Sequence, residues 1–206
     1  MAIDLDEAKV NRSEFALWLA WTLATAAGMM LGFVPFTLLS TDVNVLVVRL
    51  LLPVVAGVLV GLLQWLVLRP YMTRAVDWVL HGGAGWALGF ALGLLVIEAL
   101  GRNPLGALLG YVLFGLIVGG LQWPMLRREI PHVATWVLAS GLGWALGAYL
   151  GRGGLNLLAA GGEVSPVVAS AVIAGLTGLV AGAVTGLALV WIVRQPDAPD
   201  APAARA

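Results

Sequence analysis

Six long apolar runs, separated by short polar breaks, constrain this chain more than any other feature of its sequence. A helix needs about 20 mainly apolar residues to cross a hydrocarbon core of about 30 Å. We therefore predict an all-α integral membrane protein with six transmembrane helices. The runs cover residues 15–39, 43–68, 76–100, 104–126, 133–151 and 166–193, each bound being good to a few residues.

The composition excludes two broad classes of protein. The chain has 206 residues, of which 61% are hydrophobic and 11% charged, whereas about 25% of the residues of soluble domains are charged. Eleven basic residues balance eleven acidic ones, so the chain has no basic surface for a nucleic acid. Cysteine is absent, which excludes disulfides and thiolate metal sites. A soluble domain and a nucleic-acid partner are both excluded.

The polar breaks divide the chain into three parts. Residues 1–14 form a cytoplasmic N-terminal segment, residues 15–194 the six-helix transmembrane domain, and residues 195–206 a tail too polar and too poor in large apolar residues to fold. The fifth run is short, and the apolar stretch 155–160 follows it. This stretch either extends helix five or lies along the membrane interface, and the sequence leaves both possibilities open.

An internal repeat organises the middle of the chain. Residues 61–93 and 119–151 align without a gap and are identical at 17 of 33 positions. Fainter copies of the glycine spacing occur at both ends, where Gly28 and Gly32 keep the spacing of Gly89 and Gly93. The repeat unit is a helical hairpin, and the three hairpins cover about 15–68, 76–126 and 133–193. Parallel repeats of this kind predict approximate threefold symmetry about the membrane normal.

Basic residues predict the orientation, because they collect in cytoplasmic loops. With six crossings, the side that carries both termini holds eight of the eleven basic residues, and the other side holds Arg49, Arg102 and Arg152. We therefore predict a multi-pass protein of the cell (inner) membrane with both termini in the cytoplasm. The excess of arginine over lysine, with abundant alanine and glycine, favours a bacterial source. Tryptophans near the cytoplasmic ends are expected to anchor the helices at the interface: Trp65, Trp78, Trp123, Trp136 and Trp191.

Glycines spaced four residues apart recur at equivalent positions of the repeat and predict close helix packing. Lipid tails are as apolar as leucine, so helices in a bilayer associate through close backbone contacts and interhelical hydrogen bonds. The glycines expected at helix interfaces are Gly57, Gly61, Gly85, Gly89, Gly93, Gly115, Gly119, Gly143, Gly147, Gly151, Gly178, Gly182 and Gly186.

Polar side chains within the apolar runs are the candidate ligand-binding residues, because they are costly in a membrane and often functional. Gln64 and Gln122 follow Gly57 and Gly115 by seven residues, which places them on the glycine face near the cytoplasmic end; interhelical hydrogen bonds are the alternative role. Arg49, Glu98 and Arg102 form a candidate cluster at the outer end. Snorkelling of Arg49 and a local Glu98–Arg102 ion pair are the alternative there.

The sequence contains no recognisable catalytic motif and predicts neither a metal nor a cofactor. We expect a non-enzymatic membrane module, lipid-binding or accessory and structural, whose partners are membrane lipids, other membrane proteins or a small apolar ligand. The alternative is a transporter or substrate-binding component for a small solute or an apolar ligand. A polar-lined cavity near the bilayer centre would favour transport of a solute, whereas its absence would favour the module.

Overall fold

A computed structural model of the chain describes residues 5–39, 45–70, 75–127 and 134–194, without the side chains of residues 5–12, 36, 38, 39, 45–50 and 75. The predicted disordered tail lies outside the described residues. Within them the fold is entirely helical. The helices are α1 (Leu5–Leu39), α2 (Val45–Leu68), α3 (Ala75–Ala99), α4 (Pro104–Leu126), α5 (Ala134–Ala159) and α6 (Pro166–Val193).

Local capping chemistry fixes several helix bounds. Asn103 accepts a hydrogen bond from the backbone N–H of Gly106 and Ser165 accepts one from that of Val168, and each cap is followed by proline at the first helical position. The bounds of two other helices differ from those of the apolar runs. Helix α1 begins at Leu5, well inside the segment expected to precede it. Helix α5 continues to Ala159, so the stretch 155–159 extends the fifth helix.

Five of the helices are long and apolar enough to cross a membrane, which confirms an all-α membrane protein. Helix α5 falls short by composition, since its glycines, Ser140 and Arg152 lower its mean hydropathy. Large apolar side chains cover the outside of the bundle. Examples are Leu80, Leu95 and Leu138, each more than 60% exposed. A soluble monomer rarely exposes contiguous apolar surface of this kind, whereas lipid accommodates it.

The six helices form a closed ring in chain order. Each helix packs against its neighbours in the sequence, and α6 packs against α1. Two contacts illustrate this closure: Trp18 Nε1 donates to the carbonyl of Ala183 at 3.0 Å, and the guanidinium of Arg194 pairs with the carboxylate of Glu14. We call the end where α1, α3 and α5 begin the closed end, and the opposite end the open end.

The thirteen glycines predicted at helix interfaces are all buried against a neighbouring helix. A methyl group added at any of them would lie 2.4–3.2 Å from an atom of that helix. At Gly115 the nearest atom is the carbonyl oxygen of Ser140, and at Gly61 it is the Cα of Val79. At five of these positions a backbone atom is nearest, at less than 3.0 Å, so the helix backbones approach more closely there than they could with a side chain: Gly93, Gly115, Gly147, Gly178 and Gly182.

Candidate functional site

Three tryptophans fill the centre of the ring at the closed end. The side chains of Trp21, Trp78 and Trp136 are at most 1% exposed, and each ring meets the other two edge to face with centroids 5.6–5.7 Å apart. The prediction that Trp78 and Trp136 are interfacial anchors is therefore wrong, because both rings face the interior of the bundle. Trp123 and Trp191 are exposed and Trp65 is half-buried, and for these three the anchoring role stays a prediction.

The indole N–H groups of this tryptophan triad create a polar layer inside the bundle. A buried indole N–H needs an acceptor, and each one finds it on the helix that precedes its own in the ring. Both predicted glutamines accept one of these bonds, so each forms an interhelical hydrogen bond within this layer. The three bonds are Trp21 Nε1 to Thr185 Oγ1 (2.9 Å), Trp78 Nε1 to Gln64 Oε1 (3.0 Å) and Trp136 Nε1 to Gln122 Oε1 (3.2 Å).

The polar layer is incompletely satisfied. Gln64 Nε2 donates to Thr25 Oγ1 at 3.0 Å, but among the described residues Gln122 Nε2 has no acceptor, since Gly82 lies at the corresponding place. Within the described part of the chain, Ser140 Oγ is also buried without a hydrogen-bond partner. The enclosed space between these groups is about 10 Å³, which is roughly the size of one water site. This layer is therefore too small for an organic solute.

Replacing Gly82 with serine is expected to stabilise the protein, because it supplies the missing acceptor for Gln122. A Cβ at Gly82 would lie 4.0 Å from Gln122 Nε2 and no closer than 3.7 Å to any other atom of a neighbouring helix. We expect Gly82→Ser to raise the free energy of unfolding by about 1 kcal/mol, from helix propensity and one interhelical hydrogen bond. Denaturation with sodium dodecyl sulfate in mixed micelles measures the change.

Gly82→Ala is the matched control for this serine variant. Alanine has the better intrinsic helix propensity by roughly half a kcal/mol, but it adds no hydroxyl. We therefore expect serine to stabilise at least as much as alanine, despite its weaker propensity. A serine variant clearly less stable than the alanine variant would contradict the assigned hydrogen bond.

A second aromatic cluster lies one layer nearer the open end. Trp86, Phe114 and Trp144 meet one another nearly at right angles with ring centroids 5.0–5.5 Å apart, and Phe33 contacts Trp86 at 6.2 Å. Edge-to-face contacts of this kind stabilise rigid aromatic packing. The cluster separates the polar layer from the space beyond it.

Two adjacent cavities, which share part of their lining, occupy the ring between this aromatic cluster and the open end. The inner cavity, about 130 Å³, has Trp86, Phe114 and Trp144 in its floor. The outer cavity, about 320 Å³, is lined by residues that include Ala148 and Arg152. Side chains of α1, α3, α4, α5 and α6 line the inner one, so it lies inside the ring rather than on its surface. Residues lining both are Met29, Phe33, Phe90, Tyr111, Ala148 and Thr177.

The predicted outer cluster is only partly assembled among the described residues. Arg102 forms a bidentate pair with Glu98, with N–O distances of 2.6–2.9 Å. The side-chain hydrogen bond from Glu98, and then its charge, raise the pKa of Arg102. Both side chains are more than half exposed, and neither lines the two cavities. The side chain of Arg49 lies outside the described part of the chain, so its place in this cluster stays a prediction.

The described residues hold no group of three side chains suited to a metal ion. His81, for example, lies 2.8 Å from the carbonyl of Asp77 on its own helix. Comparison of the chain with protein-family models, with curated proteins and with solved structures finds no match. The geometry of the cavities and of the layers beneath them therefore carries the functional argument.

Sequence reasoning missed the cavity and the burial of the tryptophan triad. A signal for the triad was present: Trp78 and Trp136 precede Gly85 and Gly143 by seven residues, which places each on the glycine face of its helix. The same spacing had located Gln64 on a glycine face. The cavity has no comparable local signal, since its lining comes from helices far apart in the sequence.

Proposed function

We propose that this protein is a multi-pass module of a bacterial inner membrane that binds the apolar chain of a membrane lipid inside its helix ring. The cavity with the aromatic floor is the observation that carries the proposal. Ligand sites are typically concave and mainly apolar, with few polar groups, and the two adjacent cavities have this character. Phe33, Phe90 and Ile173 supply apolar surface along the wall of the outer cavity.

The proposal includes six crossings arranged as three hairpins with approximate threefold symmetry. Helix α5 lies in the ring between α4 and α6 and has 26 residues, which supports a sixth crossing despite its lower hydropathy. The tryptophan triad takes one ring from the first helix of each hairpin. Equivalent glycines also approach equivalent positions, each four residues before the acceptor of a triad indole: Gly28 approaches Val60, Gly85 approaches Val118, and Gly143 approaches Ala181.

The orientation follows from the crossings and the basic residues. With six crossings, both termini lie on one side, and the excess of basic residues assigns that side to the cytoplasm. The closed end then faces the cytoplasm and the cavity opens toward the outer leaflet. A lipid chain can therefore enter from the outer half of the bilayer.

Binding is better supported than transport of a small solute. Transporters typically place polar or unwound segments near the bilayer midplane, whereas the polar layer here encloses only about 10 Å³. The closed end is filled by the tryptophan triad and by buried Leu68, Leu126 and Leu189. A solute would have to separate these side chains to cross. We therefore propose a membrane module that binds an apolar ligand, and not a transporter of small solutes.

Filling the cavity is expected to prevent lipid binding. Ala148 lines both cavities, and Ala148→Phe places a ring where the chain would lie. Excluding two methylenes of a bound chain costs about 1.6 kcal/mol, so we expect the affinity for monooleoylglycerol to fall at least about tenfold. Native mass spectrometry of the full chain, released from detergent with the added lipid, measures the bound fraction.

Ala91→Phe provides the matched control, because Ala91 is exposed on the outer face of α3 and does not line the cavity. We expect this variant to bind monooleoylglycerol as the unchanged protein does. The proposed function would be overturned if the unchanged protein bound monooleoylglycerol no more tightly than the Ala148→Phe variant does.

A further inference from the structure

The wall of the outer cavity carries a cation. Arg152 lies one helical turn beyond Ala148 on α5, toward the open end, and Ser170 of α6 lines the same cavity. The guanidinium has no ion-pair partner among the described residues. In this respect it differs from Arg102, which Glu98 neutralises.

We propose that Arg152 binds the anionic head group of a membrane lipid whose chain occupies the cavity, with Ser170 as a further hydrogen-bond donor. This inference rests on the proposed function and adds the chemical class of the ligand. A guanidinium presents a planar set of donors that matches a phosphate or carboxylate. A phosphate or carboxylate of the lipid would therefore supply the charge that Arg152 lacks.

The depth of the cavity fits a ligand with a head group at one end. Arg152 follows Trp144 by eight residues, so the aromatic floor lies about 12 Å from the mouth along the axis of α5. The carbons of an acyl chain nearest its head group at Arg152 would therefore contact Ala148 and extend as far as Trp144. A small soluble anion would bind at the mouth and leave the apolar floor unused, which is why we infer a lipid.

Two lipids with the same chain test the head-group assignment: oleoyl lysophosphatidylglycerol, which is anionic, and monooleoylglycerol, which is uncharged. We expect the protein to bind the anionic lipid about tenfold more tightly, as for a charge-assisted hydrogen bond. Arg152→Gln should remove this preference without changing the affinity for monooleoylglycerol. Arg152→Lys should retain part of the preference. Titration in detergent with detection by native mass spectrometry gives both affinities.

Arg69→Gln is the charge-matched control, because Arg69 is exposed at the closed end, and it should preserve the preference. Equal affinities for the two lipids, or an unchanged preference in the Arg152→Gln variant, would overturn the head-group assignment and leave the proposed function intact. Failure of both lipids to bind would instead contradict the proposed function. Displacement of bound anionic lipid by equimolar glycerol phosphate would also overturn the inference, since it indicates a site for a soluble anion.

Discussion

Replacing Gly147 with leucine is expected to separate α5 from α6 and to lower the free energy of unfolding by about 3 kcal/mol. A Cβ at this position would lie 2.6 Å from the carbonyl oxygen of Thr177 and 3.3 Å from the backbone nitrogen of Ala181. Because both are backbone atoms, the clash cannot be relieved by a rotamer change. Separation of the helices would also break the bond from Thr177 Oγ1 to the carbonyl of Gly147, which is 3.2 Å long.

The control for this variant lies on the same helix. Gly153 has no atom of a neighbouring helix within 4 Å of an added Cβ, so Gly153→Leu should fold and should be as stable as the unchanged protein or up to about 1 kcal/mol more stable, from helix propensity. The comparison separates close packing from the general effect of leucine on α5. Thermal unfolding in detergent, followed by near-ultraviolet circular dichroism, measures both variants. Equal melting of the two leucine variants would show that close approach at Gly147 contributes little.

Local features of the sequence predicted the helices well. Hydropathy located all six, and the caps Asn103 and Ser165 with their following prolines fixed the starts of α4 and α6. These predictions succeed because capping and hydropathy depend on residues within one or two turns. The alternative left open for residues 155–160 needed the structure, since a short apolar stretch between glycines suits either a helix or the membrane interface.

The failure at Trp78 and Trp136 has a physical cause. The position of a residue along a helix predicts its depth in the bilayer, but its burial depends on whether its face of the helix points to the interior of the bundle. Their spacing to Gly85 and Gly143 carried that information. The same spacing relates Trp21 to Gly28, so Gly28 is the equivalent of Gly85. The glycine pattern alone had aligned Gly28 with Gly89, which is one helical turn away.

The cavity could not be predicted from any single segment. It exists because Met29, Ala148 and Thr177 are small or flexible where α1, α5 and α6 face the aromatic floor, and only the closed ring brings these positions together. Arg152 was visible in the sequence as a basic residue, and it contributed only to the predicted orientation in the membrane. Its place on the cavity wall required the packing of α5 against α6.

Replacing Trp136 with alanine is expected to lower the free energy of unfolding by about 3–5 kcal/mol, the usual cost of removing a large buried aromatic side chain. The variant loses two edge-to-face contacts, with Trp21 and Trp78. It also leaves Gln122 Oε1 without its indole donor, next to the Ser140 hydroxyl that already lacks a partner. Unsatisfied polar groups in a buried layer add to the cost.

Trp123→Ala is the matched control, because Trp123 is 39% exposed and its ring mainly covers the guanidinium of Arg127 at 4.9 Å. Its removal should cost about 1 kcal/mol or less, as for an exposed cation–π contact. Denaturation in mixed micelles measures the two variants side by side. Equal losses would mean that the buried contacts and the hydrogen bond of Trp136 add no stability beyond that of an exposed ring. A large loss for Trp136 alone would instead identify the triad as the interior seal of the closed end, which confines any bound chain to the open half of the ring.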